Sequence, residues 1–464
     1  MSIDPTRLSL AQAGALLRTG ELTALALTDA FLERIARIDP LLNCFITVTA
    51  EQARATARAR DDELRDGIDR GPLHGLPLAL KDLYQTAGVR TTGGTRFLAD
   101  WVPTQDAAVV DRLFAAGMVL LGKLNMHEWA LGITNENPHY GDVANPWDRQ
   151  RVAGGSSGGS AAALAAAMCP ASLGSDTGGS IRLPAALCGV VGLKPTFGRV
   201  SVRGVLPLSW NLDHAGPMAR SVVDVALLLD AIAGHDAADP WSARQPFTAT
   251  GASLGAGVAG LRLAVARDAH FRDAEPPVMA AFEEAVGTLR ALGATIVEVE
   301  LRDAGVARAA NALMITTDAA ALHHERLRDA PERFGADVLT RMRGGAATSG
   351  PAYAAARCTQ QRWRHQLDTL FDQVDLLLTP TMPVVAPLRD GASMVAIAPR
   401  MTHFTAPFNL AGVPALSLPM GLVAGLPVAL QIVGPAWGEA LVLRAGAAYE
   451  QAAGWQMLEP PLAV

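Results

Sequence analysis

The chain has 464 residues, half of them apolar and 18% charged, enough for a large buried core and wrong for a disordered chain. Thirty-nine basic residues against 45 acidic ones leave a net charge of −6. No basic excess is left to track a phosphate backbone, so direct nucleic-acid binding is excluded as the main role.

In chain order, the pattern first predicts helix. Leu22, Ala26, Phe31, Ile35 and Ile38 recur at near-helical steps, and an Ala- and Arg-rich helix is expected over about 49–69. The period then changes. Residues 75–82, GLPLALKD, read as a short buried strand that delivers Lys81 at its C-terminal end. A helix over about 106–116 and a strand over 118–121 follow. Residues 154–204 hold 11 of the 44 glycines, and from Val152 to Ile181 the only charge is Asp176. Such a segment belongs in the interior, with backbone packed closely on its surroundings. Ser221 caps a helix to Ile232, with Asp224 at the third position as in a capping box. Residues 236–260 read as loop. A strand (261–266), a helix (276–292) and a strand (295–299) come next, then two helical regions and a strand over 375–379. Met401 to Gly438 contains no Asp, Glu, Lys or Arg, but five prolines interrupt it. It reads as buried strands and turns, not a membrane span. A last helix is expected over 437–453. The alternation argues for an α/β fold, and length alone for about three domains. The N-terminus shows no signal-peptide pattern, so a cytoplasmic protein is expected. Cys44, Cys169, Cys188 and Cys358 lack zinc or redox spacing and are read as buried small apolar groups.

Several chemistries are excluded by pattern. No Lys-Ser or Lys-Thr follows the glycines at 158–159, so this is no phosphate-binding loop, and GGSSGGS is no dinucleotide fingerprint. His127-Glu128 and His324-Glu325 lack the second histidine of a zinc protease; no metal and no cofactor are expected. GGSSG at 154–158 does match the nucleophile elbow G-x-S-x-G, which would make Ser156 an esterase nucleophile with His403 as a candidate base.

The whole stretch Gly154 to Gly189, GGSSGGSAAALAAAMCPASLGSDTGGSIRLPAALCG, resembles the signature of the amidase signature family, serine hydrolases with a Ser-Ser-Lys triad. LPLALKD around Lys81, GKLNMHEWALG (122–132), ANPWD (144–148), GLKPTFGRVS (192–201) and NLAGVPALSLP (409–419) extend the resemblance over nearly the whole chain. It implies a single large domain with a mixed, mostly parallel, twisted β-sheet covered by helices on both faces. Its expected parts are a helical segment over 1–70, a signature core over 71–235, a more variable middle over 236–375 and C-terminal strands and helix over 376–464.

By that resemblance Ser180 is the nucleophile, Ser156 the bridging serine after a cis peptide, and Lys81 the base. A serine hydroxyl needs a base to take its proton, and lysine serves only when burial keeps it neutral. The N–H groups of Thr177, Gly178, Gly179 and Ser180 are the expected oxyanion donors. Asp176 and Arg182 are expected to pair and shape that loop, Ser157 to support it, and Gly132, Ile133 and Thr134 to border the pocket. His127, His139 and His214 are expected away from the chemistry. The implied reaction is hydrolysis of an amide or carbamate through a Ser180 acyl-enzyme. The amidotransferase subunits of the family carry Asp where His127 stands, and SWNLDH around Trp210 is similar to free-standing amidases. The favoured reading is therefore a free-standing amidase, with no direct nucleic acid or membrane partner and a homodimer as its one expected form of self-assembly. Trp210 and the charge-free 401–438 segment point to a small apolar substrate. The alternative is the glutaminase A subunit of a tRNA-dependent amidotransferase. A non-enzymatic relative is the remaining reading.

Overall fold

Eleven strands form one continuous sheet in the computed structural model, which describes residues 4–389, 394–455 and 458–462. The strands are β1 (Phe45–Val48), β2 (Pro77–Lys81), β3 (Val119–Leu124), β4 (Ala171–Asp176), β5 (Val191–Lys194), β6 (His214–Ala219), β7 (Arg262–Ala266), β8 (Thr295–Val299), β9 (Leu376–Pro380), β10 (Ala415–Val423) and β11 (Leu426–Val433). Their order is β1-β3-β2-β4-β6-β5-β10-β11-β9-β7-β8.

The sheet is mixed, as expected, but not mostly parallel. Four pairings are parallel, β2 with β3 and β4, and β7 with β8 and β9. The other six, β1–β3, β4–β6, β5–β6, β5–β10, β10–β11 and β9–β11, are antiparallel. The cause is local. A helix crosses over between β2 and β3 (Ala108–Ala115) and between β7 and β8 (Pro276–Ala291), which returns the chain parallel. β10 and β11 instead form a hairpin on Ala424 and Gly425, both at positive φ (50° and 78°), the geometry that suits strand twist in a two-residue turn.

Both faces of the sheet are covered. Leu376 and Leu378 of β9 pack with Val278, Phe282 and Val286 in one apolar cluster. Leu377 between them joins a second cluster with Met314, Trp363 and Phe408. Alternate residues of one strand thus enter opposite cores, each closed by helices, as period-two geometry requires.

Local expectations fare unevenly. Residues 152–188 are buried throughout, and β2 ends at Lys81. The Ser221 hydroxyl accepts from the Asp224 amide at 3.2 Å, but the Asp224 carboxylate turns to the Leu10 amide (3.0 Å) and tethers the first helix instead of closing the capping box. The 401–438 segment is not all strand and turn; it opens with a helix, Ala406–Ala411. Cys358 is exposed, unlike the other three cysteines, because it lies on the solvent side of the helix Gly350–Phe371. Among the described residues no helix is long and apolar enough to cross a membrane.

Candidate active site

β2 carries Lys81 between β3 and β4, where the side chain is fully buried. Its Nζ lies 2.7 Å from Ser156 Oγ, 2.9 Å from Ser157 Oγ and 2.8 Å from Ser175 Oγ. Burial holds the lysine well below its ordinary pKa, although Asp176 and Asp213 pull the other way. A neutral amine has two N–H donors and one lone pair, so its three hydroxyl neighbours cannot play the same part. Ser157 donates its own hydrogen to the Ser175 carbonyl (3.2 Å) and must therefore accept from Lys81. Ser156 and Ser175 share the remaining N–H and the lone pair.

Ser156 follows a cis peptide bond from Gly155, as the resemblance implies. The His127 amide donates to its carbonyl at 3.2 Å. Ser180 lies beyond β4, 6% exposed, on the wall of a cavity of about 230 Å³. No hydrogen bond joins Ser180 to Ser156 among the described residues; the structure gathers Lys81, Ser156, Ser157 and Ser175 into one cluster and leaves Ser180 facing the cavity.

Asp176 and Arg182 shape the loop that carries Ser180. The Asp176 carboxylate accepts from Arg182 Nε and Nη2, both at 3.0 Å, from Asn409 (2.7 Å) and from the Gly179 amide (2.7 Å). Burial alone would raise its pKa, but the Arg182 charge and these donors hold it well below the usual carboxylate range. Arg182 also donates to the Thr405 carbonyl, Gln431 and Asn409. Gly179 has φ +138°, and a Cβ there would come within 2.4 Å of Thr405 Oγ1, so the position requires glycine. The Gly179 N–H is committed to Asp176, so it is not a free oxyanion donor. The N–H groups of Thr177, Gly178 and Ser180 have no acceptor among the described residues. The helix behind this loop begins only at Arg182, two residues after the nucleophile candidate.

Gly132 and Ile133 border the cavity. Thr134 does not: the chain turns there, and its hydroxyl donates to Glu136 (3.1 Å). Trp210 is also displaced from its expected place. It is 39% exposed and lines a separate cleft with Trp241, while Leu208 reaches the Ser180 cavity. The remaining wall combines Leu131, Ile315 and Pro399 with polar residues that sequence reasoning missed, among them Arg308, Asn311 and Arg341. Arg341 donates to the Leu131 carbonyl (3.3 Å), while its Nη2 and the Arg308 Nε are buried with no partner among the described residues. Among the described residues no carboxylate lines this cavity.

The histidines stand away from the hydroxyl cluster. The His127 ring pairs with Asp337 (2.9 Å) and His139 with Glu128 (3.0 Å). His403 stacks on His270 at 3.9 Å between centroids, whereas Ser156 bonds to Lys81, so the nucleophile-elbow arrangement is not formed. Among the described residues no group of three or more His, Cys, Asp or Glu comes together that could hold a metal ion.

The Amidase family profile matches residues 26–443. The A subunit of the glutamyl-tRNA(Gln) amidotransferase from Chloroflexus aggregans (strain MD-66 / DSM 9485) is 43% identical over 480 residues, covering 98% of each chain. The peptide amidase of Stenotrophomonas maltophilia, solved by X-ray, superposes with a TM-score of 0.86 at 36% identity over 98% of each chain. A chain solved in work on an unexpected vestigial protein complex and the evolutionary origins of an s-triazine catabolic enzyme superposes with a TM-score of 0.92 at 37% identity, covering 98% of this chain and all of that one. With its signature segment, buried lysine and serine cluster on this fold, the chain belongs to the amidase signature family.

Proposed function

We propose that the protein hydrolyses the carbon–nitrogen bond of a small amide that bears a carboxylate, through an acyl-enzyme on Ser180. The observation that carries this reading is Lys81 buried among three serine hydroxyls, with burial lowering its pKa, beside a cavity with two underused arginines and, among the described residues, no acid. Neutral Lys81 takes the Ser156 hydroxyl proton on its lone pair, and Ser156 takes the proton of Ser180 as Ser180 Oγ bonds to the substrate carbonyl carbon. The N–H groups of Gly178 and Ser180, with Thr177, stabilise the oxyanion. The proton returns through Ser156 to the leaving nitrogen as the C–N bond breaks. Water, deprotonated along the same route, then releases the acid. Arg308 and Arg341 bind the substrate carboxylate, since guanidinium N–H groups match it in charge and geometry. This amends the expectation of an entirely apolar substrate: Leu131, Ile133 and Ile315 hold the apolar part and the arginines one end. A cytoplasmic location belongs to this reading.

The amidotransferase relatives favour a second reading of the same chemistry. The chain would be a glutamine-hydrolysing A subunit that hands ammonia to partner subunits, and the neighbour solved in a protein complex also supports a partner. Glutamine's carboxylate suits the arginine pair, but among the described residues its α-ammonium would meet no acid on the cavity wall. The test is a kinetic panel on the purified chain: a carboxylated amide, its neutral analogue, a carbamate, and glutamine with and without partner subunits. Turnover of the carboxylated amide by the chain alone, with Ser180 labelled by a fluorophosphonate and the rate cut at least about 10³-fold in Ser180→Ala, is the expected result. Glutamine turnover only with added subunits, and none on the other substrates, would establish the second reading instead.

A further inference from the structure

We infer that Asn311 is a specificity-determining residue that reads the nitrogen of the scissile bond; this rests on Ser180 being the nucleophile. Asn311 stands on the helix Ala304–Leu322, is 1% exposed, and lines the Ser180 cavity. Its Nδ2 donates to the Thr177 carbonyl at 3.2 Å. A carbonyl only accepts, so this contact fixes which end of the carboxamide is nitrogen and turns Oδ1 the other way. Oδ1 takes no donor among the described residues and lies against Gly178: a Cβ placed on Gly178 would stand 3.3 Å from it. A bare amide oxygen therefore sits beside the loop whose Thr177, Gly178 and Ser180 line the cavity, two residues before Ser180.

That placement has a chemical consequence. A substrate carbonyl polarised by the N–H groups of Gly178 and Ser180 brings its leaving atom to the neighbouring side of the same loop. An acceptor there is satisfied by an N–H, as in a primary or secondary amide, a urea or an unsubstituted carbamate. It faces a lone pair in an ester and a carbon in a tertiary amide. Holding the N–H also turns the nitrogen lone pair away from Oδ1, free to take the proton returned by Ser156. A site that leaves an acceptor unpaired discriminates more strongly than one that merely loses apolar contact. The enzyme would therefore prefer amides to esters by more than their intrinsic reactivities allow.

The experiment compares matched substrates that share one carboxylated acyl group and differ only at the leaving atom: a primary amide, a methyl ester and an N,N-dimethylamide. For Asn311→Ala the ratio of kcat/KM for the primary amide over the ester falls at least tenfold, and the preference for the primary over the dimethylated amide falls with it. Asn311→Ser, shorter but still able to hydrogen-bond, falls less far and guards against a folding defect in the alanine variant. Fluorophosphonate labelling of Ser180 in both variants reports whether the loop is intact. Equal losses on amide and ester, with slowed labelling, would overturn the proposal and leave Asn311 only a brace for Thr177. Absence of all turnover by the unmodified protein, or labelling at a serine other than Ser180, would instead overturn the reading of the site beneath it.

Discussion

Replacing Ser175 by alanine removes one of the three hydroxyls around Lys81 Nζ, the one at 2.8 Å, and the direction of the outcome reports how the proton is stored. If Ser156 gives its hydrogen to the lysine lone pair, Ser175 must accept an N–H. An acceptor helps both protonation states of the amine but favours the ammonium. Hydrogen bonds to charged groups contribute about 1.5–3 kcal/mol and neutral ones about 0.5–1.5 kcal/mol, so the differential is about 1 kcal/mol. At 1.36 kcal/mol per pH unit that is about 0.7 units. Burial already lowers the Lys81 pKa; losing Ser175 lowers it further. In the proposed mechanism the neutral amine is the active form, so activity is expected to rise with pH along a limb set by Lys81. In Ser175→Ala that limb moves to lower pH by about 0.7 units. The assay is kcat/KM for an amide from pH 5 to 10 in wild type and variant, with Ser175→Thr as the variant that keeps the hydroxyl. A limb that moved upward would refute the argument, because it would mean that Ser175 donates to the lone pair and Ser156 does not.

Three further outcomes are expected. Asp176→Asn leaves Arg182 buried without its counter-charge and lowers stability by roughly 3–5 kcal/mol, read from urea denaturation at pH 7. Since folding lowers the Asp176 pKa from 3.8, its stabilisation is complete above that value and fades as acid protonates it; the wild type should lose stability below about pH 4 more steeply than the variant does. Arg341→Ala removes a charged donor from the cavity and raises KM for a carboxylated amide about 10- to 100-fold, and an equal rise for the neutral analogue would remove the arginine from substrate recognition. Gly132→Ala sets a methyl 2.1 Å from the His127 ring; overpacking of this kind costs about 1–3 kcal/mol, and a variant with unchanged thermal stability and unchanged KM would show that the ring yields freely.

The sequence makes Lys81 legible because an apolar run ends on it, and β2 does bury that run between two strands. The glycine-rich, charge-poor segment is equally readable as interior, and Asp176 with Arg182 stands out there as the only nearby pair of opposite charges. Ser175 is not readable as a neighbour of the lysine, since its face depends on the register Ala79↔Ser172 between β2 and β4, which no local pattern encodes. Arg308, Asn311 and Arg341 lie more than 120 residues beyond Ser180, on helices where a polar residue ordinarily faces solvent; only the packing of those helices over the signature loop turns them inward. The antiparallel centre escapes notice for a related reason. Its hairpin turns on Ala424 and Gly425, and alanine at positive φ carries none of the Asn-Gly or Asp-Gly signal that announces such a turn.

The partners of Arg182 bear on the order in which the protein becomes competent during synthesis. Thr405, Asn409 and Gln431 bind its guanidinium from 223, 227 and 249 residues downstream. At ribosomal speeds of about 5–20 residues per second, Gln431 is made roughly 10–50 s after Arg182. Until then the arginine and the loop it braces lack their C-terminal anchors, although Lys81, Ser156, Ser157 and Ser175 have all been made. A nascent chain would thus hold its lysine and serine cluster early and its Ser180 loop late. On the proposed function, hydrolytic competence would arrive only with β10 and β11, which join the two parallel flanks of the sheet.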